Sequence, residues 1–360
     1  MISCSQSPQL ISLLMLLFTI AGFALAIPHE LQDTQKPAGL TDEINNFIKG
    51  PTPLSVFPTA LSQQSAVAKL IAAIDEALVR KHLVTLTEFP DRYYQSDNGV
   101  LAAKWLSDQV VALNATASSE VLLTVKYFNH AKWKQPSVIA RLEARQTIGK
   151  PSDVVIIGTH FDSLGKGSGR PEPNPNPAAD DCASGSSVIA EALRVLVSQQ
   201  FVPKRPLEVH WYAAEEVGIL GSNEIAKDYA QRGVQVLSYL NLDQVGYVKP
   251  GSTPTIGIMT DFVTKPATNL LRLVAKAYTT ITLIVDTQCG YRCTDNSAWF
   301  DSGYNSALAF ESSMKNAFPF NDRVNSDGSP LDTVNIIDFP HVLEFAKNTI
   351  GFVVELLQAS

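Results

Sequence analysis

The sequence has little cysteine and little histidine: four and six residues in a chain of 360. Four cysteines are too few for a scaffold built on disulfides. The fold must therefore rest on an apolar core, and 45% of the residues are apolar. Charge is also sparse, at 18% of residues with a formal net charge of −7. No Lys/Arg stripe is present, which argues against a nucleic-acid partner, whose binding needs phosphate neutralisation. No internal repeat is evident. Beyond the N-terminus, no apolar run approaches the roughly 20 residues of a membrane-spanning helix.

The N-terminus is the exception. Leu10–Phe23 is apolar, and Ala24-Leu25-Ala26 forms a small-x-small cleavage pattern before Ile27-Pro28. Residues 1–26 are expected to be a secretory signal, which makes the mature chain extracellular and free of the membrane. One departure is the lack of Lys or Arg in Met1–Gln9. A retained membrane anchor is the alternative. Residues 27–66 are rich in Pro, Thr, Ser and Gln with little periodicity, as in a zymogen pro-segment. A single folded domain is expected over 67–360. Asn114-Ala115-Thr116 is the one acceptable N-glycosylation sequon. Cys289 and Cys293 are a plausible short-loop disulfide, whereas Cys182 has no evident partner.

Helical spacing is expected over Ala68–Leu83 and Gly99–Leu113. Strands are expected at Val121–Phe128, Ser137–Leu142, Val154–Gly158, Leu207–Tyr212, Val236–Leu242, Thr255–Met259 and Ala307–Phe310. Further helices are expected at Ser184–Gln199, Ser222–Gln231, Lys265–Thr279 and Phe339–Leu357. Such alternation predicts an α/β three-layer sandwich, with a mixed, largely parallel sheet covered by helices on both faces. Gly165–Pro177 reads as a loop near the ends of these strands.

Acidic and histidine residues recur where strands end. His160 and Asp162 follow Val154–Ile157, and Asp180-Asp181 precede a helix. Glu215-Glu216 follow Leu207–Tyr212, and Asp243 follows Val236–Leu242. Open α/β sheets bind ligands at this edge. Crowded carboxylates repel unless a cation holds them, and zinc accepts His nitrogen and carboxylate oxygen. His160 could bind metal while Asp162 orients its imidazole. Of two adjacent glutamates, one can hold metal while the other takes a proton from zinc-activated water. Each residue alone also has a bland explanation. Asp162 could cap a strand end, Asp181 could cap a helix, and Glu215-Glu216 could favour the dipole of a first helical turn. Their combination at successive strand ends points to a metal-dependent hydrolase.

In these stretches the sequence resembles the secreted co-catalytic di-zinc aminopeptidases, the bacterial and fungal leucine aminopeptidase group. The resemblance rests on Gly158–Ser163, Ala179–Gly185, Tyr212–Gly218, Gly221-Ser222, Asn241–Asp243, Cys289–Asp295 and Phe310–Ser312, with Phe89–Tyr94 as an early Arg-Tyr-Tyr signal. It runs from about Ile74 to the C-terminus. It implies that Asp181 bridges two zinc ions, that His160 and Asp243 complete one site, and that Glu216 binds the other. Glu215 would be the general base, and Tyr291 would serve the substrate pocket and the developing oxyanion. Cys289–Cys293 would be the family disulfide, and the peptide bond after Asp181 would be cis. The substrates would be peptides with a free N-terminus, with Leu or another apolar residue first, and the enzyme a monomer.

The chain departs from the pattern at the last zinc ligand, a histidine in relatives. Here Asn325 takes that position, with Asp327 or Asp322 nearby as substitutes. Asn296 likewise stands where relatives often have histidine. An amide oxygen is a weaker zinc ligand than imidazole, so the second zinc site is expected to be weakened. A catalytically impaired, peptide-binding relative is the alternative. A thiolate at Cys182 beside the bridging position could also ligate; a small buried residue is the plainer expectation.

Overall fold

The computed structural model describes residues 51, 53, 56–165, 175–320, 323 and 330–359. The expected signal 1–26, most of 27–66, and the candidates Asp322, Asn325 and Asp327 lie outside the described residues. Among the described residues eight strands form one sheet: β1 (Val121–Phe128), β2 (Ser137–Ala144), β3 (Val154–His160), β4 (Leu207–Tyr212), β5 (Val236–Leu242), β6 (Thr255–Met259), β7 (Leu283–Thr287) and β8 (Ser306–Phe310). Their order is β1-β2-β4-β3-β5-β8-β6-β7. The centre, β4-β3-β5-β8, is parallel. β1, β2 and β4 pair antiparallel, as do β8 and β6, while β7 runs parallel to β6 at the edge. Every residue of β3 and β5 is buried, which suits parallel strands covered on both faces.

Among the described residues the α-helices are α1 (Gln64–Ile71), α2 (Glu76–Thr87), α3 (Asp97–Leu113), α4 (Gly185–Ser198), α5 (Leu220–Gln231), α6 (Lys265–Tyr278), α7 (Asn296–Asp301) and α8 (Phe339–Leu357). The period-two alternation of β3 sorts them into layers. Val155 and Ile157 enter a large core with residues of α1–α4, α6 and α8. Val154 and Ile156 enter a smaller core with Ile225 and Tyr229 of α5 and Trp299 of α7. The result is the three-layer sandwich that the alternation implied.

Three elements differ from expectation. The single helix expected over Ala68–Leu83 is two, because Asp75 is an N-cap: its side chain accepts the Ala77 and Leu78 N–H groups. Leu78, inside that span, is 40% exposed, whereas Leu70 is buried. β7 escaped notice because it is a short edge strand with Asp286 inside it. α7 has only six residues, too few to show a period. The N-terminal end of α1 is tied to α8, where the Glu355 carboxylate accepts the Ser62 and Gln63 backbone N–H groups at 2.8 and 3.0 Å.

Candidate active site

Strands β3, β4 and β5 end side by side, and each delivers a candidate residue to the same edge. His160 is the last residue of β3 and is fully buried. Glu215 and Glu216 follow β4 after Ala214, which turns the chain in the left-handed region (φ 59°). They precede α5 by several residues, so the first-turn explanation of these two acids does not hold. Asp243 directly follows β5. Asp181 arrives from an irregular turn, Ala179–Ser184, and its peptide bond to Cys182 is cis. That turn leads into α4, whose first residue can approach β5 only without a side chain. A Cβ on Gly185 would lie 2.7 Å from the Asp243 carbonyl oxygen and 2.8 Å from Thr159 Oγ1.

His160 Nε2 is 2.9 Å from Asp181 Oδ1 and 3.6 Å from Asp243 Oδ1. Its Nδ1 lies 3.2 Å from the Asp162 carbonyl oxygen and 3.5 Å from Asp162 Oδ1. Asp162 has a further task that the sequence did not disclose. Its carboxylate accepts the backbone N–H of Glu215 (3.0 Å) and of Glu216 (3.3 Å). Asp332 does the same for the other acidic pair, accepting the N–H groups of Asp180 (2.8 Å) and Asp181 (3.0 Å). Gln244 Nε2 donates to Asp181 Oδ2 at 3.2 Å. Arg92, from the early Arg-Tyr-Tyr signal, is fully buried. It donates to the carbonyls of Phe161, Leu86, Pro177 and Ala178, and so fastens the β3 end to the segment that precedes Asp181.

The electrostatics of this edge call for a cation. Burial pushes Asp180 and Asp332 well above the usual carboxylate range, and neighbouring carboxylates add to both shifts. Burial also raises Asp295 and Glu311 to about 7. Glu215 is pushed well up by burial; His160 opposes this, and Asp295, Asp243 and Asp162 reinforce it. His160 shows the converse. Burial disfavours its proton, yet the Asp162, Asp181 and Asp243 carboxylates hold it well above 6.5. Burial would likewise raise Asp243, but His160 and Thr294 bring it below its ordinary value. Positive charge is thus drawn to the point where these side chains converge.

The donor set fits zinc at that point. Donor atoms of His160, Asp181 and Glu216 lie within 4.8 Å of one another, and so do those of His160, Cys182 and Asp243. Imidazole and carboxylate are the ligands that catalytic zinc sites use. Cys182 is the weaker candidate. Its sulfur is 2.7 Å from Thr159 Oγ1 and 3.1 Å from the Asp243 carbonyl oxygen, and burial pushes the thiol up to about 12. A protonated, hydrogen-bonded thiol is the small buried residue of the plainer expectation.

The site opens into a cleft of about 460 Å³, within the usual range for small-ligand sites. Asp181, Glu215, Glu216 and Asp243 line it, and Met259, Leu308 and Phe310 give it apolar surface. Tyr291 also lines it, 63% exposed, on the loop closed by the Cys289–Cys293 disulfide (S–S 2.03 Å). Asn296 is buried on α7, donating to the Phe262 carbonyl oxygen at 2.9 Å.

Acidic and imidazole donors gathered at the carboxyl edge of a sheet covered on both faces define a metal-dependent α/β hydrolase. Comparison with known proteins narrows the class. Residues 137–353 match the model of peptidase family M28, and the chain belongs to that family. It is 36% identical over 327 residues to a probable leucine aminopeptidase 1 of Trichophyton verrucosum, covering 88% of this chain and 84% of the relative. It is 36% identical over 309 residues to leucine aminopeptidase 1 of Coccidioides posadasii, covering 83% and 76%. Among solved structures it is similar to LapB from Legionella pneumophila, with a TM-score of 0.76, 27% identity, and coverage of 91% of this chain and 83% of that one. The protein is a metallo-aminopeptidase of this family, and its substrates are peptides.

Proposed function

We propose that the protein removes Leu or another apolar residue from the free N-terminus of peptides, with Glu215 as the general base. The observation that carries this is the cleft itself, where Glu215 and an apolar wall of Met259, Leu308 and Phe310 share one opening. His160 and Asp243 would hold one zinc and Glu216 a second, with Asp181 between them; His160 Nε2 is the point at which both carboxylates, Asp181 and Asp243, meet. Zinc, when bound, supplies Lewis-acid polarisation of the carbonyl and lowers the pKa of the attacking water.

The chain's own residues then divide the work. Glu215 takes a proton from the water and returns it to the leaving amine. Its raised pKa, caused first by burial, keeps it poised to hold that proton. Asp162 fixes the backbone of both glutamates and faces His160 Nδ1. Tyr291 donates to the oxyanion from the cleft wall. The free α-amine sits among the carboxylates that line the cleft.

Hydrolysis of leucine, methionine, glutamate and lysine p-nitroanilides tests the substrate reading. The apolar substrates should be faster, in kcat/KM, on the order of tenfold or more. Equal or faster cleavage of the glutamate or lysine anilide would contradict it.

The second zinc site is proposed to be weak, with Asn325 or Asp327 as its last ligand. Calorimetric zinc titration should show one tight and one weaker site, the weaker affected by Asn325→Ala or Asp327→Ala. Two tight sites unchanged in both variants would count against it. We also propose a secreted zymogen, cleaved after residue 26 and within 27–66, with a glycan at Asn114. That residue is exposed at the end of α3, where a glycan has room.

A further inference from the structure

A serine, a histidine and a glutamate stand in a row that ends on the backbone just before Glu215. Ser137 Oγ is 2.9 Å from His130 Nε2, and His130 Nδ1 is 2.7 Å from Glu224 Oε2. The order is that of a nucleophile, a base and the acid that orients the base. Ser137 is fully buried, however, so its hydroxyl cannot meet a substrate. Its oxygen accepts the Ala213 N–H instead, at 3.0 Å. The ladder between β2 and β4 ends at the pair Val138–Trp211, and Ala213 lies beyond it. A side chain therefore supplies the acceptor that the buried N–H needs where the ladder stops. In the neutral imidazole, Nδ1–H donates to Glu224 and Nε2 accepts the Ser137 O–H, so each donor in the row has an acceptor. Burial favours that form by lowering the His130 pKa, although Glu224 opposes the shift. Trp133 stacks on the ring with centroids 4.4 Å apart, and Phe128 lies against it at 5.1 Å.

Ala213 begins the turn that delivers Glu215. Ala214 follows in the left-handed region (φ 59°), which an alanine keeps only where its surroundings hold it. Asp162 holds the turn from one direction through the Glu215 and Glu216 N–H groups. Helix α5 adds two restraints. The Leu220 N–H donates to the Ala214 carbonyl at 3.0 Å, and a Cβ on Gly221 would lie 2.1 Å from the Ala213 carbonyl oxygen. Glu224, three residues further along α5, is the far end of the row that reaches Ala213. We propose that Glu224, His130 and Ser137 are positioning residues that act in series on the Ala213 N–H and so set the placement of Glu215. The proposal rests on the reading of Glu215 as the general base.

The test measures kcat and KM separately on leucine p-nitroanilide with saturating zinc, on variants whose folding is checked by thermal unfolding. Ser137→Thr and Ser137→Val share a shape and differ in the hydroxyl. Ser137→Val should lose roughly ten- to hundredfold in kcat with little change in KM, as expected for a misplaced catalytic group. Ser137→Thr should recover most of that loss. Glu224→Ala removes a side chain that is 37% exposed, so the fold should tolerate it. It should lower kcat by about three- to tenfold, the worth of one hydrogen bond. Glu224→Gln, which keeps an acceptor, should lose less. Added to Ser137→Val, Glu224→Ala should cost nothing further, because residues that act in series are not additive. Lowered thermal stability with kcat and KM both at the wild-type level would make the row a structural brace and overturn the proposal. If both Ser137 variants fail to fold, a wild-type kcat in Glu224→Ala overturns it alone. Glu215→Ala is the reference. If it is inactive while the row's variants keep full kcat, only this proposal falls. If Glu215→Ala is itself fully active, the reading of Glu215 as the base falls and takes the proposal with it.

Discussion

The Asp162 carboxylate accepts the N–H groups of Glu215 and Glu216 and also faces His160 Nδ1 at 3.5 Å. One side chain therefore sets the position of a candidate base and of two candidate ligands. Groups of this kind commonly change metal affinity 10–100-fold when altered. Asp162→Asn should weaken zinc binding by roughly that factor, because an amide presents one acceptor where the carboxylate presents two. Competition with a chromophoric chelator measures this. Unchanged affinity together with unchanged activity would show that the contacts are incidental. At this scale much of the site was legible. His160, Asp181, Glu215, Glu216 and Asp243 stand at strand ends in chain order, and the structure gathers them at one edge. Asp332 was not legible. It lies about 150 residues from the backbone that it holds, and no local pattern marks it. Arg92 was visible only as part of a resemblance; its four carbonyl partners come from three separate segments.

Strand β4 carries a second set of polar groups on the face opposite the large core. Glu208 accepts from Arg141 Nη1 (2.8 Å) and Tyr229 OH (2.7 Å) and lies 3.0 Å from His210 Nε2. His210 Nδ1 lies 3.1 Å from Tyr212 OH. Burial lowers the pKa of His210, and in the neutral ring Nε2–H would donate to Glu208 while Nδ1 accepts from Tyr212. Burial works against the charge on Glu208, but His210, Tyr229 and Arg141 outweigh it and bring its pKa from 4.5 to about 2. A carboxylate depressed in the folded state stabilises above its unfolded pKa, and that contribution fades as pH falls toward the folded value. Glu208 should thus contribute on the order of 3 kcal/mol above about pH 5, lost progressively between about pH 4.5 and 2. Urea unfolding of wild type and Glu208→Gln across this window tests it. A stability gap independent of pH would contradict the assignment. The main strands and helices were legible because their apolar periods are long. The Asp75 break was not, because the apolar residues on either side keep a helical spacing across a cap. β7 and α7 are too short, and at too exposed or too local a position, to show a period at all.

At the scale of the whole molecule, three layers hold one sheet so that its carboxyl edge faces a cleft lined by carboxylates and by apolar side chains. The fold was legible in the alternation of elements, since parallel strands need long crossovers that helices fill. The lining of the cleft was not, because Lys249, Met259, Leu308 and Lys315 come from four places that only the folded sheet brings together. The central claim is that this arrangement hydrolyses the first peptide bond of a substrate with a free α-amine, with Glu215 carrying the proton. The most direct measurement is the hydrolysis of leucine p-nitroanilide beside its N-acetylated twin, with and without added zinc, by the wild type and by folded Glu215→Ala. Cleavage of the free-amine substrate alone, lost by at least about a hundredfold in the variant, is the predicted result. Equal cleavage of the acetylated substrate, or full activity in Glu215→Ala, would contradict it.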